Sequence, residues 1–340
     1  MNEVIDFVIT WVDGSDKNWI AKKDKYVSLA SNNTIDASNS RYRDWEFLKY
    51  WFRSVEKYAN WVNKIYFITD NQIPAWLNTN NKKIVIINHE DILPSDALPT
   101  FNSNAIEMGI ENIKNLSEKF VYFNDDMFIN DYVDKSDFFV NGLPADAAIL
   151  SPIIPKEKSG FYKAAANTVF VLNENYCLKK SIKYHKNKWF NFKYGIDNFR
   201  NIFLQHASGF CGFYNSHIPN SYLKSCFSKA IHLDEEMYYL TIKSKFRNNN
   251  NNIIHWIARY YQLVTGNFYP RSNKIGKYFS IENSIEDLII DILDSKHKML
   301  CINDNCSDAD FETFKNELLK AFEQKYPYQS SFELNEHEDE

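Results

Sequence analysis

Absences bound this chain before any motif does. Its five cysteines (Cys177, Cys211, Cys226, Cys301, Cys306) contain no CxxC spacing. That excludes a zinc ribbon, and the odd number argues against a disulfide framework and for a reducing compartment. No HExxH or HxxxH spacing occurs among the eight histidines, so no helix offers paired imidazoles for zinc. Neither GxGxxG nor a P-loop is present, which removes those routes to dinucleotide binding and ATP hydrolysis. No apolar run reaches the roughly 18 residues a spanning helix needs. The opening run IDFVITWV is too short for a signal peptide and lacks a basic flank. The expected setting is the cytoplasm, with peripheral attachment to the inner face of the cell membrane left open. An excess of positive charge is missing too. The net charge is −5, so no global basic field recruits nucleic acid.

What is present is apolar and aromatic. At 44% hydrophobic and 16% aromatic over 340 residues, the chain can bury one large core or two modest ones. Strand and helix signals alternate through the first 130 residues. Val4 to Val12 is a β-branched run; Trp45 to Tyr58 carries a helical apolar stripe; Ile65 to Thr69, Ile84 to Ile87 and Phe120 to Phe123 read as strands. Ser103 is placed to cap a helix bearing Ile106, Ile110 and Ile113. This alternation predicts an α/β, Rossmann-like, mostly parallel sheet with flanking helices. Residues 1–137 are expected to form that core and 138–214 an irregular insertion with a weak strand at Thr168 to Leu172. Residues 215–330 are read as a mostly helical part and 331–340 as an acidic tail, with Glu333 to Glu340 solvated. Asn248 to Asn252 reads as an exposed loop.

In such sheets the site lies at the carboxyl ends of the strands. Four predicted strand ends carry polar residues: Asp13-Gly14-Ser15-Asp16, Asp70, His89, and Asn124-Asp125-Asp126. Adjacent carboxylates after a buried strand are costly unless a cation sits against them, and a divalent metal carrying a phosphate is the commonest reason to build such a place. A solvated turn or helix cap is the competing reading. Gly14 would let a nucleotide approach the backbone closely, although DGSD is also an ordinary turn sequence. His217, in the polar turn Asn215 to Pro219, suits a general base toward an acceptor hydroxyl; an exposed loop histidine is the plainer alternative. Arg41 and Arg247 are among the arginines able to grip phosphate, if they are not surface ion-pair partners. Met299 to Asn305 ends on Asn303-Asp304-Asn305, an echo of Asn124-Asp125-Asp126. Ser307 and Asp310 resemble a capping box for a helix bearing Phe311, Phe314, Leu318 and Phe322.

Together these segments resemble the Stealth family of sugar-phosphate transferases. The resemblance rests on Ile5 to Asp16, on Arg41 to Asp126 (RYRDWEFLKYWF through LPTFNSNAIE to FVYFNDDMF), on Ser216 through Arg247, and on MLCINDN closing at YPYQSSFE. It implies transfer of an intact sugar-1-phosphate from a UDP-sugar donor to a hydroxyl of an oligosaccharide or lipid-linked glycan acceptor. UMP leaves, and a capsular or exopolysaccharide gains a phosphodiester. The carboxylate pair after the apolar strand can hold Mg²⁺ or Mn²⁺. Asp125, Asp126, His217, Arg247, Asn303 and Asp304 match the family's segment positions; the chemistry of phosphoryl transfer then puts Asp125, Asp126 and Asp304 at the metal, and His217, Asp126 and Arg247 in catalysis. Asp13, Gly14, Arg41, Asp70 and Asn303 are expected on the nucleotide-sugar side. Two alternatives stand beside this: a metal-dependent glycosyltransferase releasing UDP, and a non-catalytic carbohydrate- or Ca²⁺-binding protein.

Overall fold

The computed structural model describes residues 3–29, 35–36, 42–155, 160–248 and 252–334. Eight strands place the site: β1 (Asp6–Thr10), β2 (Ile65–Thr69), β3 (Ile84–Asn88), β4 (Lys119–Phe123), β5 (Met127–Ile129), β6 (Asn220–Leu223), β7 (Gly276–Ser280) and β8 (Met299–Asn303). The main sheet runs β3-β2-β1-β4-β6. Its first four strands are parallel, with Phe7 opposite both Ile65 and Val121, and β6 closes the edge antiparallel to β4. The chain therefore leaves β1 toward one edge and returns to β1's other side at β4. That reversal opens a crevice at the carboxyl ends of β1 and β4.

Successive side chains on a strand face opposite ways, and each sheet face has its own core. Val8, Tyr66, Ile68, Phe120 and Tyr122 pack on one side with α2 (Ser103–Gly109), α3 (Gly160–Asn175), α4 (Lys224–Ile231) and α5 (Trp256–Val264). Phe7, Ile9, Phe67, Val121 and Phe123 pack on the other with α1 (Leu48–Tyr58), α6 (Ile281–Asp294) and α7 (Phe311–Lys325). Strands covered on both faces read as near-continuous apolar runs, which is why FVIT, IYFIT and FVYF were visible in the sequence. Burying each large side chain contributes roughly 1.5–3 kcal/mol.

A second sheet, β7-β8-β5, stands beside the first. β5 begins at the residue after Asp126 and runs antiparallel to β8, with Met299 opposite Ile129 and Cys301 opposite Met127. A segment some 170 residues away in sequence is thereby brought against the Asp pair.

Several local expectations are corrected. Thr168 to Leu172 lies inside helix α3: its β-branched residues follow a run of alanines, and Ala164, Ala165, Thr168, Val169 and Leu172 recur at helical spacing and are buried. Among the described residues, 138–214 hold α3 and further helices at Leu178–Tyr184 and Asn198–Leu204. α2 is capped by Asn102, whose side chain accepts from Asn104 N at 3.1 Å, and not by Ser103. Glu333 is not part of a solvated tail, because Arg53 grips both its oxygens at 2.8 and 2.6 Å. Asn252 is fully buried and holds the side chains of Asn102 and Asn167; 249–251 of the asparagine run lie outside the described residues. The Ser307–Asp310 contact is present, with Asp310 N donating to Ser307 Oγ at 3.2 Å. No helix among the described residues is long and apolar enough to cross a membrane.

Candidate active site

A cleft of about 1020 Å³ opens at the carboxyl ends of β1 and β4. Its floor is the Asn124-Asp125-Asp126 turn. Met127 N closes that turn onto Asn124 O at 3.1 Å, and the Asp126 carbonyl accepts from Ile302 N at 2.8 Å. Asp126 is thus fixed from both sheets. Its Oδ2 accepts from Cys301 Sγ at 3.2 Å and lies 3.9 Å from His217 Nε2. Its Oδ1 is buried with no hydrogen-bond partner among the described residues. A buried carboxylate oxygen without a donor is costly, so this atom marks a place for a ligand.

Asp125 opens into the cleft yet has protein closely packed around it. That enclosure, and then the neighbouring Asp126 carboxylate, push its carboxyl up to about 7, against the pull of its own backbone amide and Arg247. Burial with a like charge alongside disfavours the ionised carboxyl, and a cation held there would favour it. Asp126, His217 and Cys301 place one donor atom each within 4.8 Å of one another. The Asp126 carboxylate, with its unpartnered Oδ1 and Asp125 beside it, fits a metal ion; Cys301, whose thiol donates to Asp126, supplies no thiolate to that set.

His217 has φ 51, a left-handed conformation uncommon outside glycine. Asn215 holds this turn by accepting the His217 N–H at 2.8 Å. The ring packs edge-on against Trp256 and Tyr278, at 6.2 and 5.8 Å between centroids. Such costly backbone geometry persists where the surroundings over-determine it, as at functional sites.

Behind Arg247 lies a buried polar network. Arg247 lines the cleft and donates to Ser103 Oγ from Nη2 at 2.6 Å. Glu107, on α2, is almost wholly buried. Burial drives its carboxyl up to about 7, outweighing Arg247, the His255 N–H and the Tyr122 hydroxyl. Tyr122 in turn meets Thr10 Oγ1 at 3.1 Å, and His255 Nδ1 meets the Tyr222 hydroxyl at 2.7 Å. Burial, followed by repulsion from His217 and Arg259, holds His255 neutral at about 3.

The remaining expected residues divide. Asn303 and Asp304 line the cleft, but both Asp304 oxygens are engaged: Oδ1 by Arg43 Nη2 at 3.1 Å and Oδ2 by Trp45 Nε1 at 3.1 Å. Asp304 therefore anchors Arg43 at the cleft wall and is not brought into the Asp126–His217 cluster. Asp13, Gly14 and Asp70 are not among the residues lining the cleft. Asp13 Oδ1 instead accepts from Ser15 N and Oγ at 2.8 and 2.6 Å. A Cβ on Gly14 would fall 1.6 Å from the Tyr42 carbonyl oxygen, so the close backbone approach there belongs to this chain itself. Asp70 pairs with Lys22 and lies 3.8 Å from His89 Nδ1. Arg41 lies outside the described residues. Sequence reasoning missed Arg43, Glu107, His255 and Cys301. Only Glu107 left a local signal, as a lone acid within the apolar turn of α2.

Fold and cleft define an α/β protein of the Rossmann-like class, with a carboxylate-floored site at the topological switch point of its sheet. Three family models match the chain: Stealth protein CR1, conserved region 1, at residues 3–28; CR2, conserved region 2, at 41–146; and CR4, conserved region 4, at 291–340. The chain is 48% identical over 331 residues to capsular polysaccharide phosphotransferase WcwK of Streptococcus pneumoniae, covering 97% of this chain and 98% of that one. It is 45% identical to exopolysaccharide phosphotransferase cps2G of Lactiplantibacillus plantarum (97% and 96% covered), and 39% identical to receptor polysaccharide phosphotransferase WefC of Streptococcus oralis (97% and 99%). The chain belongs to the Stealth family. Among solved structures, galactosyltransferase LgtC with donor and acceptor sugar analogs aligns over 93% of this chain and 95% of that one. The TM-score is 0.41 at 10% identity, too slight a likeness to argue from.

Proposed function

We propose that this protein transfers a hexose-1-phosphate or N-acetylhexosamine-1-phosphate from a UDP-sugar to a hydroxyl of a growing surface polysaccharide, releasing UMP. The observation that carries the reading is the meeting of His217 with Asp126, 3.9 Å apart on the cleft floor. It occurs in a chain whose relatives at 48% and 45% identity are named polysaccharide phosphotransferases.

Phosphoryl transfer asks for in-line positioning and charge neutralisation more than for covalent help. Asp126, with Asp125 beside it, would hold a divalent cation. The Cys301 thiol donates to Asp126 and so carries its proton, which leaves a carboxylate donor set suited to a hard ion such as Mg²⁺ or Mn²⁺. A cation bound there would offset the charge of the donor's diphosphate. Arg247 and Arg43, both on the cleft wall, would offset charge on the transferred group and on the departing UMP. The acceptor proton passes to Nε2 of His217, and the Asp126 carboxylate stabilises the imidazolium that forms. The anomeric bond is untouched, because the attacked atom is phosphorus.

The test is nucleotide product analysis. Purified protein incubated with a panel of UDP-sugars, Mg²⁺ or Mn²⁺ and oligosaccharide acceptors is expected to release UMP and to place phosphorus in the new linkage by ³¹P NMR. Release of UDP would overturn the reading in favour of glycosyl transfer.

A further inference from the structure

Between residues 178 and 204 the composition departs from the rest of the chain. This stretch carries seven lysines and arginines against one aspartate, in a protein of net charge −5. It also concentrates apolar surface in water: Phe192 is 86% exposed, Ile196 80%, Phe203 76% and Tyr184 73%, with Phe199 at 59% and Ile202 at 43%. Single exposed apolar residues are ordinary, but a cluster of large ones among basic residues marks an interaction surface.

Hydrogen bonds join these segments into one unit. On Asn198–Leu204, Phe199, Ile202 and Phe203 fall at i, i+3 and i+4, and Asn201 occupies the opposite side. Asn201 is fully buried; its Nδ2 donates to Ala148 O and Trp189 O at 2.7 Å, and its Oδ1 accepts from Leu150 N at 2.7 Å. The apolar stripe is thereby held outward. Trp189 ends a short helix, Lys186–Trp189, that directly follows Leu178–Tyr184. That preceding helix buries Leu178, Ser181 and Ile182 and exposes Lys179, Lys180, Lys183 and Tyr184. Asn198 Nδ2 adds a bond to Asn191 O at 2.8 Å. The unit adjoins the cleft, since the Arg200 guanidinium stacks 5.6 Å from the ring centre of Tyr214, a residue of the cleft wall.

We propose that this face docks on the surface of an anionic lipid bilayer, with Phe192, Ile196, Phe199 and Phe203 entering the headgroup–acyl boundary and Lys179, Lys180, Lys183 and Lys186 facing the lipid phosphates. The charge complementarity selects this occupant: a chain acidic overall has gathered cations around a cluster of exposed aromatics. Lysine and arginine beside phenylalanine is the composition that interfacial anchors use. The proposal does not depend on the reaction proposed above.

Vesicle sedimentation tests it with the full-length protein. Vesicles of phosphatidylcholine containing about a third phosphatidylglycerol are expected to pull the protein down at low salt, and pure phosphatidylcholine far less. Replacing three lysines (K179Q, K180Q, K183Q) is expected to weaken binding about a hundredfold, at about 1 kcal/mol per charge. The pair F199S and F203S is expected to lower binding at every salt concentration. All five side chains are exposed, so melting temperature and turnover of a soluble acceptor should stay as in the parent. No sedimentation with anionic vesicles, or equal sedimentation of parent and variants, overturns the proposal. So does a dimer in ultracentrifugation that F199S and F203S convert to monomer, because the face then belongs to a second copy.

Discussion

Glu107 gives a prediction whose sign and size both come from the structure. Its carboxyl is 4% exposed, and burial raises it from an ordinary 4.5 to about 7 despite Arg247, the His255 N–H and the Tyr122 hydroxyl. The folded chain therefore holds this proton more tightly than the unfolded chain. Below about pH 4.5 both states are protonated and Glu107 contributes nothing to pH dependence. As pH rises from there to about 7, the unfolded chain releases the proton while the folded chain keeps it, and stability falls; above about 7 the loss is complete and flat. The shift corresponds to on the order of 3 kcal/mol, a large fraction of a typical 5–15 kcal/mol. Glutamine copies the neutral acid. Glu107→Gln is thus expected to match the parent near pH 4.5 and to exceed its stability by about 3 kcal/mol near pH 8. Urea unfolding of both proteins at several pH values, without divalent ions, reads the difference directly. A parent-to-variant gap that does not change with pH would refute the reasoning, since Glu107 would then titrate alike in both states.

Three further outcomes follow from the same geometry. Asp126→Asn is expected to lower turnover by about a thousandfold or more and to weaken Mn²⁺ binding in a direct metal titration, because it removes the charge carried by the orphaned Oδ1. His217→Ala is expected to cut kcat by about 10²- to 10⁴-fold with little change in donor KM, and added imidazole should restore part of the rate. Glu333→Gln leaves the half-buried Arg53 without its bidentate partner; it should cost about 3 kcal/mol in thermal or urea unfolding, more than the double variant with Arg53→Met.

The core of the α/β fold was legible because parallel strands covered on both faces must be apolar throughout, and because the chain has to turn at their ends. FVIT, IYFIT and FVYF announced themselves that way, and each led to a polar turn. α3 was misread because a β-branched run looks alike in strand and helix until the spacing of the whole segment is counted. The DGSD turn illustrates a different limit. Its glycine was visible, but whether the close neighbour is a ligand or the Tyr42 carbonyl depends on a packing contact 28 residues away in sequence.

By itself the sequence determined the strand-ending carboxylates at Asp125 and Asp126, the candidacy of His217, and the family. These are local patterns or residue strings, and local patterns survive without coordinates. Tertiary structure alone decided which candidates meet. The β5–β8 register carried Cys301 to Asp126 and Asp304 to the cleft wall, where Arg43 and Trp45 hold it. The turn before β6 set His217 beside Asp126, and the packing of α2 raised Glu107 to near neutrality. Long-range pairing and desolvation are sums over residues distant in sequence, so no local stretch of the chain records them.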